Sequence, residues 1–140
     1  SQLPASSIRF EITESSLMRN PQQSIAIMNE LKKLGIKLAL DDFGTGYSSL
    51  QYLKKLPIEI IKIDISFVKN IGIDKNDEAI IEAILLLATR LNKYCIAEGV
   101  DTKEQMDFLS ERGCILIQGY LFSKPVPAQL VPGLLSKLNI

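Results

Sequence analysis

Histidine is missing from all 140 residues, and its absence removes whole classes of chemistry. No Ser-His-Asp triad, histidine general base or His-ligated zinc site can be built from this chain. Cysteine is nearly as scarce. Cys95 and Cys114 fit no metal-site spacing, and both lie in apolar stretches where a thiol behaves as a small buried hydrophobe in a reducing compartment. Any metal would therefore be held by oxygen, which favours hard divalent ions such as Mg²⁺ or Mn²⁺. Neither sign of charge is in excess: Lys+Arg 16 against Asp+Glu 16 gives +0, so no basic footprint points to duplex nucleic acid. Long hydrophobic runs are lacking too. The run 80–91 is interrupted by Glu82 and Arg90, and the N-terminus lacks the charged-then-apolar pattern of a signal peptide. The expectation is a cytoplasmic protein, or the cytoplasmic part of a larger one, with no membrane contact from this segment. At 46% hydrophobic residues, the length suits one domain with its own core.

What is present centres on Asp41-Asp42-Phe43-Gly44-Thr45-Gly46-Tyr47-Ser48-Ser49-Leu50. The apolar run before it, 36–40, is short enough for a strand and is preceded by the breaker Gly35. Two adjacent carboxylates thus stand at a strand end, before a loop whose Gly44 and Gly46 permit backbone shapes that other residues resist. An ordinary turn accounts for Asp and Gly as well as a site does, so the other strands must decide. Ile8, Phe10 and Ile12 alternate with Arg9, Glu11 and Thr13, which predicts a strand. Asn20 and Pro21 read as N-cap and first residue of a helix whose stripe, Ile25, Met28, Leu31 and Leu34, runs to Gly35. Strand 36–41 opens the carboxylate loop, and Ser48 or Ser49 caps a short helix through Lys54.

Strand 59–64 alternates next, and a polar turn at 74–77 precedes a helix over 78–92. That helix is apolar at Ile80, Ile81, Ile84, Leu85, Leu87, Ala88 and Leu91, a width that core packing explains more simply than a partner element. A fourth strand spans 94–98. Thr102 with Gln105 predicts a capping box for a helix ending near Gly113. A fifth strand spans 114–118, and a last amphipathic helix runs over 128–138.

Five strand–helix alternations argue a parallel sheet with helical crossovers. Strands of such sheets usually read as continuous apolar runs. Here each carries a polar residue at or near its C-terminal end: Glu11, Asp41, Lys62, Glu98 and Gln118. Unpaired buried charge costs several kcal/mol per group, on the order of the penalty for an uncompensated ion, so these residues need metal, substrate or one another. A (β/α)₈ barrel gathers polar strand ends at one mouth, whereas a doubly wound sheet binds at one switch point. A full barrel takes eight units and about 250 residues. The expected architecture is an incomplete α/β TIM-type barrel of about five C-terminal βα units, with an open flavodoxin-like sheet as the alternative.

Five stretches, in order, resemble the EAL family of bacterial cyclic di-GMP phosphodiesterases. They are Phe10-Glu11-Ile12-Thr13-Glu14-Ser15, the 41–50 loop, Ile61-Lys62-Ile63-Asp64, Ala97-Glu98-Gly99-Val100, and Gln118-Gly119-Tyr120 with Ser123-Lys124-Pro125. The resemblance implies a modified TIM barrel, with 1–140 as the C-terminal part of one such domain. It implies that Glu11, Asp41 and Asp42 are metal-binding carboxylates, one aspartate serving both ions, and that Lys62 lies close to the attacking water. Glu98 matches a metal or water ligand and Gln118 a polar residue of the catalytic pocket. Glu14 resembles the glutamate that fixes the 41–50 loop, which in the family couples substrate binding to dimerisation.

Hydrolysis of a phosphodiester needs a nucleophile near neutral pH and stabilised phosphoryl and leaving oxygens; two divalent ions roughly 3.5–4 Å apart supply these. Mg²⁺ or Mn²⁺ is thus the expected cofactor, cyclic di-GMP the substrate and linear pGpG the product. Tyr47, Tyr120 and Phe122 either stack on guanine or pack at the rim. Ser123 and Lys124 either meet phosphate or form a solvated turn.

The Glu-Ala-Leu segment, a metal-binding asparagine and a substrate-contacting arginine of the family have no counterpart in this sequence. The chain alone is therefore expected to be inactive or weak unless other strands are supplied, with self-association or a homodimer through the barrel edges. A sensory or GGDEF-type domain upstream in the parent protein fits the same picture. Two other readings are a catalytically inactive module that binds nucleotide or a protein partner, and another phosphate-handling barrel enzyme, an isomerase or aldolase using Lys62.

Overall fold

A computed structural model describes residues 3–46 and 50–138. Its frame is a sheet of five parallel strands: β1 (Arg9–Thr13), β2 (Lys37–Phe43), β3 (Ile60–Ile63), β4 (Tyr94–Glu98) and β5 (Leu116–Gln118). They lie in the order β1-β2-β3-β4-β5. Each strand pairs with its neighbours in sequence, so no point of reversed strand order exists among the described residues. A doubly wound sheet requires one. The chain is a partial (β/α) barrel, and the flavodoxin-like alternative is set aside on topology.

The helices form where local signals and buried faces agree. The Asn20 side chain accepts from the Gln23 N–H, and Pro21 begins helix α2 (Pro21–Lys33). Before it stands α1 (Glu14–Arg19), capped by Thr13 and not foreseen from the sequence, because six residues carry too little periodicity. After the carboxylate loop comes α3 (Leu50–Leu53). The expected serine caps, Ser48 and Ser49, lie outside the described residues.

Asp64 caps another unforeseen short helix, α4 (Ile65–Val68), through the Ser66 N–H. The long helix α5 (Lys75–Arg90) starts three residues earlier than expected, because the Asp74 side chain accepts from the Asn76 N–H and ends the turn there. Thr102 and Gln105 form the capping box of α6 (Lys103–Glu111). The terminal helix is split: a 3₁₀ turn at Ala128–Leu130 precedes α7 (Val131–Lys137), which carries Pro132 in its first turn, where a missing N–H costs nothing.

The core lies between the sheet and the helices beside it. Leu38, Leu40, Ile61, Ile63 and Ala97 from the strands meet Leu17, Met28, Leu53, Ile81, Ile84 and Leu109. Burying one such Leu or Ile side chain stabilises by about 1.5–3 kcal/mol. Helix α5 turns Ile81, Ile84, Leu85 and Ala88 inward, with Leu87 and Leu91 packed beside them, so most of its apolar width is core; Ile80 and Leu86 are exposed. The outer strands are barer. Phe10 on β1, and Ile115 and Leu116 at β5, are exposed. Of the cysteines, Cys114 is buried and Cys95 half-buried. No helix of the described residues is long and apolar enough to cross a membrane.

Candidate active site

Strand geometry alone would separate Asp41 from Asp42, since consecutive side chains point to opposite faces. The chain avoids this with a register shift. Leu40 pairs with Ile61 and Phe43 with Ile63, so Asp41 and Asp42 together stand opposite Lys62. Two residues against one make a bulge. Asp42 takes up the extra length at φ 55, in the left-handed region that Asp tolerates better than most residues, and its N–H donates to Asp41 Oδ1 at 3.0 Å. The result sets Asp41, Asp42 and β4's Glu98 so that each offers an oxygen, all within 4.8 Å of one another.

Lys62 reaches the same place from β3. Its Nζ lies 2.6 Å from Glu11 Oε2, 2.6 Å from Glu98 Oε1 and 3.3 Å from Asp41 Oδ1, and only 6% of its side chain is exposed. One ammonium thus ties carboxylates from three other strands. Removing a partner from such a buried group costs about 3–5 kcal/mol. Burial alone would lower the Lys62 pKa, but hydrogen bonds to Glu11 and Glu98 and the charges of Glu98 and Asp41 reverse it and hold it above the usual lysine value. The carboxylates feel their crowding. Asp42 is raised by burial and by the charges of Asp41 and Asp64. Glu98 is raised by burial, with Asp41 and Glu11 adding to it, against the pull of Lys62.

Glu14 works one layer behind. It is buried at the start of α1 and its Oε2 accepts from the Gly44 N–H at 2.9 Å. Gly44 has φ 96, which a side chain would strain, and Gly46 lies so close that a Cβ there would stand 3.0 Å from Glu14 Oε1. The glutamate therefore braces the loop that follows the two aspartates.

On the β5 side, Gln118 pairs in register with Glu98, and its side chain is exposed at the strand end. Both line a cavity of about 1060 Å³ that also takes in Tyr120, Phe122, Ser123 and Lys124. The Lys124 ammonium sits 5.7 Å from the centre of the Tyr120 ring, and Ser123 Oγ donates to the Lys124 carbonyl at 2.7 Å. Two features hold this wall. Asp101 Oδ1 accepts from the Tyr120 N–H at 3.0 Å, and Val100 bonds both Gln118 O and the Leu121 N–H at 3.1 Å, with Gly119 pressed between them.

The structure thus brings Glu11, Asp41, Asp42, Lys62 and Glu98 together and places Gln118, Tyr120, Ser123 and Lys124 along one adjoining wall. Tyr47 lies outside the described residues. Sequence reasoning gave no part to Asp101 and named Gly119 only within the Gln118-Gly119-Tyr120 stretch, because the parts of both depend on contacts between the β4 and β5 loops. It also missed Glu59 at the opposite end, where Oε2 accepts from the Leu38 N–H at 3.0 Å and Oε1 lies 3.1 Å from Lys32 Nζ.

Residues 1–125 match the family model described as EAL domain. The chain is 46% identical over 125 residues to the cyclic di-GMP phosphodiesterase NbdA of Pseudomonas aeruginosa, covering 89% of this chain and 16% of that protein. A solved PaMucR phosphodiesterase, in complex with c-di-GMP, superposes with a TM-score of 0.90 at 43% identity, over 92% of this chain and 52% of that one. Klebsiella pneumoniae BlrP1, solved with manganese and cyclic di-GMP, gives 0.81 at 35% identity, over 88% of this chain and 31% of that one. The chain spans about half of the solved MucR phosphodiesterase and a far smaller share of the curated relative.

Proposed function

The chain belongs to the EAL domain family, and on that premise we propose that it forms the C-terminal part of a cyclic di-GMP phosphodiesterase domain. Within that domain it hydrolyses the dinucleotide to linear pGpG with Mg²⁺ or Mn²⁺. The observation that carries this reading is the convergence of Glu11, Asp41 and Glu98 on one buried ammonium, with Asp42 sharing an oxygen cluster with Asp41 and Glu98. The names of NbdA and of the manganese-bound BlrP1 support the substrate and the ion.

The donor set fits hard divalent ions: carboxylate oxygens only, three of them already within 4.8 Å of one another, in a chain without histidine. Asp41, Asp42, Glu11 and Glu98 would hold the ions. When bound, such ions supply an acidified water and positive charge for the phosphoryl oxygens. Lys62, kept protonated by its neighbours, adds a fixed positive charge at the mouth and orients water or an anionic oxygen by donation. Gln118 offers amide donors and an acceptor beside Glu98. Tyr120 lines the cavity with an aromatic ring, over which lies the Lys124 ammonium. Glu14 holds the Gly44 end of the loop after Asp42.

A lysine-based isomerase or aldolase is the poorer reading, because a nucleophilic amine needs a lowered pKa and Lys62 has a raised one. Binding without turnover is the second reading. It is favoured by the exposed Phe10, Ile115 and Leu116 of the outer strands, which also suit self-association through those edges. Upstream signalling domains and a cytoplasmic setting belong to the same proposal.

The test is cyclic di-GMP hydrolysis with Mg²⁺ or Mn²⁺ by the 140 residues alone and after adding the N-terminal strands of an EAL relative. Turnover restored by the added segment and abolished in Glu98→Gln supports the enzyme. Saturable binding in both forms without turnover supports the binding module instead.

A further inference from the structure

We propose that Lys62 is a tethered counter-ion that holds the carboxylate ring together without metal and competes with a divalent cation for Asp41 and Glu98. The inference rests on the reading above that these carboxylates take such ions. It starts from shared ownership. Asp41 and Glu98 belong to the cation-sized cluster with Asp42, and the same two residues face the Lys62 ammonium at 3.3 and 2.6 Å. Glu11, on the remaining side, is 2.6 Å from the same Nζ.

Lys62 has no apolar alternative in this position. It sits in a strand whose four residues are all buried, and its charge needs those carboxylates as much as they need it. Three carboxylates on one ammonium, with Asp42 beside them, leave the ring strongly negative, so a divalent cation is attracted. It must nevertheless take Asp41 and Glu98 oxygens that now face Lys62. Loading therefore pulls the ammonium off part of its ring, or repels it at short range in a buried setting where charges interact strongly. The strand spacing brings a consequence: Glu11, outside the three-oxygen cluster, can keep Oε2 on Lys62 while its other oxygen turns to an ion, so Lys62 can yield Glu98 and Asp41 without losing its last counter-charge. The lysine sets a lower limit on the cation concentration that organises the site, and it keeps the strand ends closed below that limit.

The experiment titrates Mn²⁺ into the wild-type chain, Lys62→Met and Lys93→Met, by calorimetry and by loss of the free Mn²⁺ electron paramagnetic resonance signal. Lys93 is the control, because its Nζ donates to the Leu56 and Ile58 carbonyls at 3.3 and 2.8 Å, away from the carboxylates. Lys62→Met is expected to bind Mn²⁺ at least about tenfold more tightly than wild type, from removal of one competing charge. Its melting temperature should be lower without metal and gain more on Mn²⁺ addition, while Lys93→Met leaves Mn²⁺ affinity unchanged. Equal or weaker binding by Lys62→Met overturns the counter-ion proposal and leaves the metal reading standing. No binding by any variant overturns both.

Where Lys62→Met fails to fold without metal, the wild-type chain decides by NMR of the lysine side-chain ¹³Cε–¹⁵Nζ groups during Mg²⁺ titration. The Lys62 resonance should shift in step with saturation. A resonance unmoved at saturation overturns the proposal.

Discussion

Replacing Gly119 by alanine puts a single methyl group where the loops after β4 and β5 touch. A Cβ on Gly119 would lie 2.0 Å from the Val100 carbonyl oxygen and 2.4 Å from the Val100 nitrogen. Ordinary contact begins near 3.4 Å, and both clashing atoms are backbone, so no side chain can swing aside. The two loops must part by more than about 1 Å to reach the spacing of packed atoms. That separation breaks the bonds from Val100 N–H to Gln118 O and from Leu121 N–H to Val100 O, both now 3.1 Å. Each is worth about 1 kcal/mol net. Overpacking strain adds about 1–3 kcal/mol, for a total of about 3–5 kcal/mol. At this chain length a loss of 1 kcal/mol lowers Tm by roughly 2–4 °C, so the fall should be of order 10 °C.

Gly133→Ala is the matched control. Its Cβ would meet nothing within 4 Å, and it lies inside α7, where alanine is the better helix former by about 0.5–1 kcal/mol. Scanning calorimetry or circular dichroism melts of both variants give the readout. A Gly119→Ala chain melting within about 2 °C of wild type, by the same conversion, or a Gly133→Ala chain losing as much as Gly119→Ala, would refute the close-approach argument.

Asp42 supplies a second case, because its charge and its backbone can be separated. Its raised pKa means that the ionised carboxylate destabilises the metal-free fold at neutral pH. Asp42→Asn should therefore unfold in urea at or above the wild-type midpoint while losing Mn²⁺ affinity. Asp42→Ala, forced to hold φ 55, should be about 1 kcal/mol less stable than Asp42→Asn; the reverse order would remove the strain from the account. Glu59 predicts the acid limb. Burial would raise its pKa, but bonds from the Leu38 N–H and Lys32 outweigh burial and lower it from 4.5. A depressed carboxyl stabilises fully above its unfolded value and loses that contribution as pH falls through the folded value. Melts from pH 6 downward should therefore show a smaller decline below about 4.5 in Glu59→Gln than in wild type. Parallel curves would show that Glu59 contributes nothing there.

Much of this was legible because it is local. The N-cap of Asn20 before Pro21 and the capping box of Thr102 with Gln105 each close within three residues, so both could be read from spacing. The alternation around Glu11 and the polar residue near the end of every strand mark the mouth's side chains in the sequence itself. Helices α1 and α4 were not legible, since a single turn or two holds no period to count. The doubled pairing at Asp41 and Asp42 was hidden because the sequence shows two aspartates in a row and nothing of their partner strand. Gly119 stands in the Gln118-Gly119-Tyr120 stretch with no local signal for its part, and only Val100, nineteen residues earlier, gives it a reason to be glycine.

The one-residue slip in β2 has a further consequence, for how the sequence can change. Upstream of it the strand keeps one phase with β3, at Leu40 and Ile61. Downstream it keeps another, at Phe43 and Ile63. Deleting Asp41 or Asp42 would bring the two phases into line and yield a straighter, better-paired strand. The same deletion would leave only one prong of the fork that faces Lys62. Here selection for a smoother ladder and selection for the chemistry pull in opposite directions, so a shortened relative that folds more robustly should be one that has given up its second acid.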